Sequence, residues 1–350
     1  MKNILIVSLH FSPGYIGHMM AWHKLCEQCG YNSLIYGDEK YSKYYKDTEY
    51  KFCSNLEVVM EFKPDIAIVQ NTGFENVLFF KWCENNNCKI LYILHEPYMG
   101  IRELLKDGTY CVKQAIACIL NAWLCSKSEK IILGSKYAED NCKCYMKSAY
   151  KKKVSFPLLF MDSYLENGED RKYFSLIGTY ATPKGSDLFF KFIKESVSRG
   201  YDIDFQIATR SNLDEQLKDS VVKKLIKEDK LVVHHGRDLT TEEINAAYRR
   251  SICCWNGYRR TTQSGVLPNA YMQGTPVLAS NIGSFTDFVI PGKTGEFIDN
   301  KDVNSIYKGY LKIQNNSEDM SKQCRKYFLE HFFYGNQAKR LKDVIDNIMT

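Results

Sequence analysis

The sequence predicts an α/β protein made of two doubly wound domains in series, their parallel sheets facing across a cleft. Three observations carry that expectation. Short apolar runs alternate with helical segments through the whole chain, the alternation restarts after residue 172, and 350 residues are enough for two separate cores. Strands separated by helices of this length imply parallel pairing with right-handed crossovers.

Five strands are expected in the first half: "NILIVSL", "NSLIYG", "PDIAIVQ", "KILYIL" and "KIILGS". Helical patterns such as Met20, Leu25 and Cys26, or Leu78, Phe79 and Trp82, lie between them. The stretch "AIACILNAWLC" (115–125) is interrupted by Asn121 and too short to span a bilayer, so it reads as a core helix, with an interfacial helix as the other reading. The polar stretch "MDSYLENGEDRK" (161–172) is the linker. "YFSLIG", "DFQIAT", "KLVVHHG", "SICCWN" and "TPVLAS" follow as the strands of the second half. Leu341, Val344, Ile345 and Ile348 mark an amphipathic C-terminal helix. The expected domains are therefore 1–165 and 166–332, with helix 333–350 crossing back to the first.

Composition excludes a disordered chain, and the apolar run that opens the sequence is too short for a signal peptide. Thirteen cysteines without an export signal point to thiols in a reducing, cytoplasmic compartment. Cys26 and Cys29 sit inside a helical pattern, and Cys142 and Cys144 have no histidine pair beside them, which argues against zinc. The net charge of +6 reads as spread along the chain, with "KCYMKSAYKKK" (143–153) as a local basic run. That run is a solvated helix end or a contact for an anionic membrane at its inner face. Nucleic acid is not an expected partner.

Two loops carry the chemistry. In "GTYATPKGSDLFFKFI" (178–193), Lys184 and Gly185 fall where a strand gives way to a helix, a place where a lysine and open amides grip phosphate. In "QSGVLPNAYMQGTPVLAS" (263–280), Pro268 places a helix start near Gly265, and Gly274 suits the left-handed position past its end. The amides of Ser264, Gly265 and Val266 then face an anion, and with Lys184 they form a clamp for a diphosphate leaving group.

From Gly178 to Gly295, "IGTYATPKGSDLF", "VVHHG", Tyr258 to Gly274 and "SNIGSFTDFVIPGKTGEFID" resemble the group 1, family 4-like retaining glycosyltransferases. These have the GT-B fold of two Rossmann-like domains. "KPDIAIVQ", "YILHEPY" and "IILGS" extend the resemblance over nearly the whole chain. It implies a nucleotide-sugar donor, UDP- or GDP-linked, with no cofactor and no metal. Two glutamates common in the family correspond to Thr261 and Asn269, so the chain is similar to a variant with Tyr258 and Gln263–Val266 in place of that pair. The family's arginine after the first strand's glycine is Thr179 here. The second cation then comes from Arg210, Arg237, Arg259 or Arg260, with Arg210 first. The diphosphate is therefore expected at Thr179, Lys184, Arg210 (just past the end of "DFQIAT") and Ser264–Val266, and the ribose and base at Asn269 and Arg237, while the resemblance gives the transferred sugar to His95. Gly17, His18 and Glu96 border the acceptor and sugar, His18 reading equally well as a helix-start residue.

The function expected is transfer of a sugar to a glycan or lipid-linked oligosaccharide in surface polysaccharide synthesis. A non-catalytic nucleotide-sugar binder and a sugar-nucleotide 2-epimerase using Glu96 and Asp287 are the alternatives. A metal-dependent transferase would need an Asp-x-Asp at a strand's carboxyl end, whereas "DID" (202–204) opens a strand.

Overall fold

The computed structural model describes residues 1–98, 100, 111–165 and 170–349, so 166–169 of the expected linker lie outside the described residues. The chain forms two units, Met1–Met161 with Phe332–Thr350, and Asp162–His331.

The first unit holds seven parallel strands: β1 (Asn3–Ser8), β2 (Asn32–Gly37), β3 (Phe52–Cys53), β4 (Ile66–Val69), β5 (Lys89–Ile93), β6 (Lys130–Leu133) and β7 (Lys153–Ser155). Their order is β3-β2-β1-β4-β5-β6-β7. The five expected strands form its centre. The two additions, β3 and β7, are edge strands of two and three residues, too short to leave a periodic signal. Central strands are buried on both faces: Ile4, Ile6, Ile66 and Ile68 enter one core, Leu5, Val7, Ala67 and Val69 the other. The C-terminal helix Ala338–Met349 buries Leu341, Val344, Ile345 and Ile348 in the first of these cores and packs on helix Ile16–Gln28.

The helix Cys111–Lys127 departs from the core reading. Asn121, Leu124 and Cys125 are buried, but Val112, Ile116 and Ile119 face outward. Apolar residues sit on more than one side of this helix, and among the described residues only one side of it is buried.

The second unit has six parallel strands: β8 (Tyr173–Ile177), β9 (Asp204–Ala208), β10 (Leu231–His234), β11 (Ser251–Asn256), β12 (Val277–Ser280) and β13 (Gly295–Ile298). Their order is β10-β9-β8-β11-β12-β13. The unexpected strand is β13, in which Gly295 faces the Val277 carbonyl so closely that a Cβ would lie 2.2 Å from it. Its core is aromatic, with Phe174 in contact with Phe189, Phe192, Phe205 and Trp255. In both sheets the winding reverses beside the first strand, between β1 and β4 and between β8 and β11. Such switch points open crevices beyond the carboxyl ends of the strands, where doubly wound proteins hold ligands.

Candidate functional site

In the second unit the chain leaves β8 through Gly178, in the left-handed region at φ 110°. A Cβ there would approach Val266 Cγ2 to 3.3 Å, so Thr179 emerges against the start of helix Val266–Met272. The next turn, Thr182–Lys184, ends on Gly185 at φ 64°. Gly185 meets both demands that only glycine satisfies: positive φ, and a Cβ position 2.0 Å from the Gly257 carbonyl oxygen. Trp255 Nε1 donates to the Gly185 carbonyl at 3.2 Å. The lysine loop is thereby fixed on the end of β11, at the switch point.

Lys184 is half-buried, its Nζ 5.9 Å from the centre of the Tyr258 ring. Burial, and after it the positive charge of Arg210, hold its ammonium below the ordinary lysine value. Arg210 leaves the end of β9, and the two loops are tied by Tyr180 N–H donating to Ser211 Oγ at 3.1 Å. Neither Lys184 nor Arg210 meets a carboxylate among the described residues. Two neighbouring cations, both without a counter-charge, repel each other in the empty protein, and an anion seated there relieves that repulsion.

The other arginines have different employment. Arg259 forms a two-pronged pair with Asp187 at 2.6 and 2.7 Å, donates to the Thr182 carbonyl, and gives its own N–H to the Pro183 carbonyl at 2.8 Å. It braces the lysine turn and is not a spare cation for phosphate. Arg237 is exposed and pairs with Glu243, whose carboxylate also closes the capping box of helix Thr241–Arg249. Arg260 makes contacts of its own. Arg259→Ala is expected to leave the unit folded while lowering turnover about tenfold. Loss of one charge-assisted brace costs roughly 1.5 kcal/mol of positioning. Steady-state rates beside a thermal melt check this.

Ser264 and Gly265 precede the short helix, and their N–H groups have no backbone acceptor among the described residues. Ser264 Oγ lies 3.4 Å from the Tyr258 hydroxyl. Asn269 is half-buried one turn on, with no hydrogen bond to its side-chain amide among the described residues. Thr261 is buried, its carbonyl accepting from Ser284 N–H at 3.4 Å and its Oγ1 3.5 Å from Ser284 Oγ. The structure thus brings Thr179, Lys184, Arg210 and Ser264–Val266 to one end of the second sheet, where Arg237, three residues past β10, is held by Glu243.

The "DID" acids lie at the opposite end of that sheet. Asp202 and Asp204 pair with Lys230, and Asp204 also with Lys172.

In the first unit, His95 follows β5, half-buried, with the Tyr15 ring 5.1 Å from its own. His18 is buried in the first turn of helix Ile16–Gln28. Its Nδ1 donates to the Leu159 carbonyl at 2.7 Å, and its ring meets Phe160 edge-on. Burial, then the nearby charge of His95, push His18 down to about 4, against the opposing pull of the Leu159 carbonyl. It is therefore a neutral ring with Nε2 left as acceptor, not an acid. Gly17 is exposed with open space at its Cβ position, and Glu96 is exposed. Tyr15 joins the cluster unannounced by the sequence. Burial, then the Glu96 charge, raise its phenol well above its ordinary value. Only the loop's return over β5 reveals it, since an aromatic in a loop carries no periodicity.

Residues 171–316 match the family described as "Glycosyl transferases group 1". No curated protein sequence matches the chain. Among solved structures it is similar to the Anabaena HepE complex with UDP and glucose, with a TM-score of 0.74 at 10% identity, over 99% of this chain and 100% of that one. It is also similar to a glycosyltransferase from Rickettsia africae and to sucrose-phosphate synthase from Thermosynechococcus elongatus. Both give a TM-score of 0.75 at 12% identity over 100% of this chain and 99% of theirs. The family match thus falls within the second unit, and the two Rossmann-like sheets share the two-domain GT-B fold of these neighbours.

Proposed function

We propose that this protein is a retaining, metal-independent glycosyltransferase that takes a UDP- or GDP-sugar as donor. One observation carries the reading: Lys184 and Arg210, adjacent and without counter-charge, stand at the switch point of the unit that holds the group 1 glycosyl transferase match. As the anomeric carbon–oxygen bond breaks, negative charge grows on the leaving phosphate, and fixed positive charge stabilises it more than the ground state. Thr179 and the amides of Ser264, Gly265 and Val266 complete the diphosphate contacts. Asn269 takes the ribose through its side-chain amide.

His95 is assigned to the transferred sugar, with Gly17, His18 and Glu96 bordering sugar and acceptor. The new bond forms between the acceptor oxygen and the anomeric carbon on the face the phosphate leaves. The departing phosphate oxygen accepts the hydroxyl proton, so no protein nucleophile is required. The acceptor is a glycan or lipid-linked oligosaccharide in surface polysaccharide synthesis, met at the inner face of a membrane through the Lys143–Lys153 run. That HepE was solved with UDP and glucose supports the donor class.

Because Lys184, Arg210 and the amides supply the positive potential, transfer is expected to persist in EDTA. Abolition by EDTA with recovery on manganese would reject the metal-free clamp. Release of UDP or GDP from the nucleotide sugar, with sugar found on an acceptor, tests the transfer itself. Tight donor binding without turnover would instead mark a binding protein.

A further inference from the structure

Most of the exposed apolar side chains among the described residues are scattered, but three line up in the first unit. Val112 (66% exposed), Ile116 (46%) and Ile119 (73%) form a stripe on helix Cys111–Lys127. Helix Glu75–Asn85 packs beside it: Phe80 meets Trp123 at 6.1 Å, and Lys127 pairs with Glu84 at 2.7 Å. Together the three expose on the order of 300 Å² of apolar surface, a patch of the size that marks interaction sites on monomers.

The charge beside this face is one-sided. Residues 111–153 contain nine lysines and three acids, a net of +6, which is the whole chain's net charge. The positive charge is therefore concentrated here, not spread along the chain as composition suggests. Lys143, Lys147 and Lys151 are exposed and have no carboxylate partner among the described residues. The short helix Lys147–Tyr150 packs on helix Cys111–Lys127, and Lys152 Nζ donates to the carbonyls of Cys125, Ser126 and Ser128 near that helix's end. Apolar stripe and basic run thus belong to one packed region.

We propose that Val112, Ile116 and Ile119 form an insertion face that seats the first unit on an anionic lipid surface, with Lys143, Lys147 and Lys151 supplying attraction to the headgroups. This deepens the membrane contact proposed above, and rests on that reading. An apolar face with flanking lysines lies in a headgroup layer rather than crossing it, and no helix among the described residues is long and apolar enough to cross. A second copy of the chain is a poorer occupant, because a symmetric contact would set the two sets of lysines against each other.

Co-sedimentation of the full chain with phosphatidylglycerol/phosphatidylcholine vesicles, without donor or acceptor, tests the proposal. Failure there leaves the transfer reading standing, and loss of transfer with vesicle binding intact sinks only the transfer reading. The chain should pellet with the anionic vesicles and not with phosphatidylcholine alone, and binding should weaken as salt rises. Ile116→Glu/Ile119→Glu should cut binding about tenfold or more with an unchanged thermal melt, and Lys143→Glu/Lys147→Glu/Lys151→Glu should do likewise. Ile119→Trp should strengthen it, a gain that misfolding cannot imitate. No binding to anionic vesicles at low salt, or equal binding by the glutamate variant, would overturn the proposal. So would a wild-type dimer in light scattering that the glutamate variant converts to monomer, which would give the face to a second copy.

Discussion

Lys184→Ala is expected to lower transfer by about 30- to 1000-fold, a loss of roughly 2–4 kcal/mol of transition-state stabilisation. The fold should survive, because Gly185, Trp255 and Arg259 hold the loop without the Lys184 side chain. Affinity for free UDP or GDP should fall as well, though less, since charge on the leaving phosphate is greatest as the bond breaks. The free enzyme adds a pH signature. Burial and Arg210 hold the Lys184 pKa low, and a bound diphosphate favours the charged ammonium. Nucleotide affinity should therefore be full at lower pH and decline as pH rises through the depressed pKa, and this decline should vanish in Lys184→Ala. Turnover near the wild-type rate in that variant would remove the clamp from the mechanism.

The second large effect is expected at His95. Replacement by alanine should reduce transfer about 10- to 150-fold, the cost of one good hydrogen bond to a group that gains charge, about 1.5–3 kcal/mol. Binding of the bare nucleoside diphosphate should scarcely change. The diphosphate contacts proposed here come from the second unit, whereas His95 extends β5 of the first. Tyr15 and His18 pack around the histidine, so the alanine variant needs a thermal melt as control. Calorimetric titration with UDP beside the transfer rate separates the outcomes. Parallel losses in both would make His95 a nucleotide or folding residue. An unaltered rate would move the first unit's share of the chemistry to His18 or Glu96.

The alternation of Ile- and Val-rich runs with helical stretches was enough to read two doubly wound sheets, because strands buried on both faces leave unbroken apolar segments. Edge strands β3 and β7 were not legible, being too short for a pattern. Strand β13 is four residues long and is tucked inside a stretch of glycine and charge. The glycine-bounded loops after β8 and β11 were also legible. Gly185 and Gly274 are demanded by left-handed backbone, a local property written in the residue itself.

What the sequence left open was the division of labour among like residues. Arg210, Arg237, Arg259 and Arg260 are the same letter. Only the fold brings Asp187, 72 positions away, against Arg259 and leaves Arg210 beside Lys184 without an acid. Tyr15 beside His95 and the outward stripe of helix Cys111–Lys127 belong to the same class. Backbone geometry and burial periodicity are set by near neighbours along the chain, so sequence determines them. Whether a charge is neutralised or an apolar face covered depends on which distant segment arrives within a few ångströms, and that the tertiary structure alone decides.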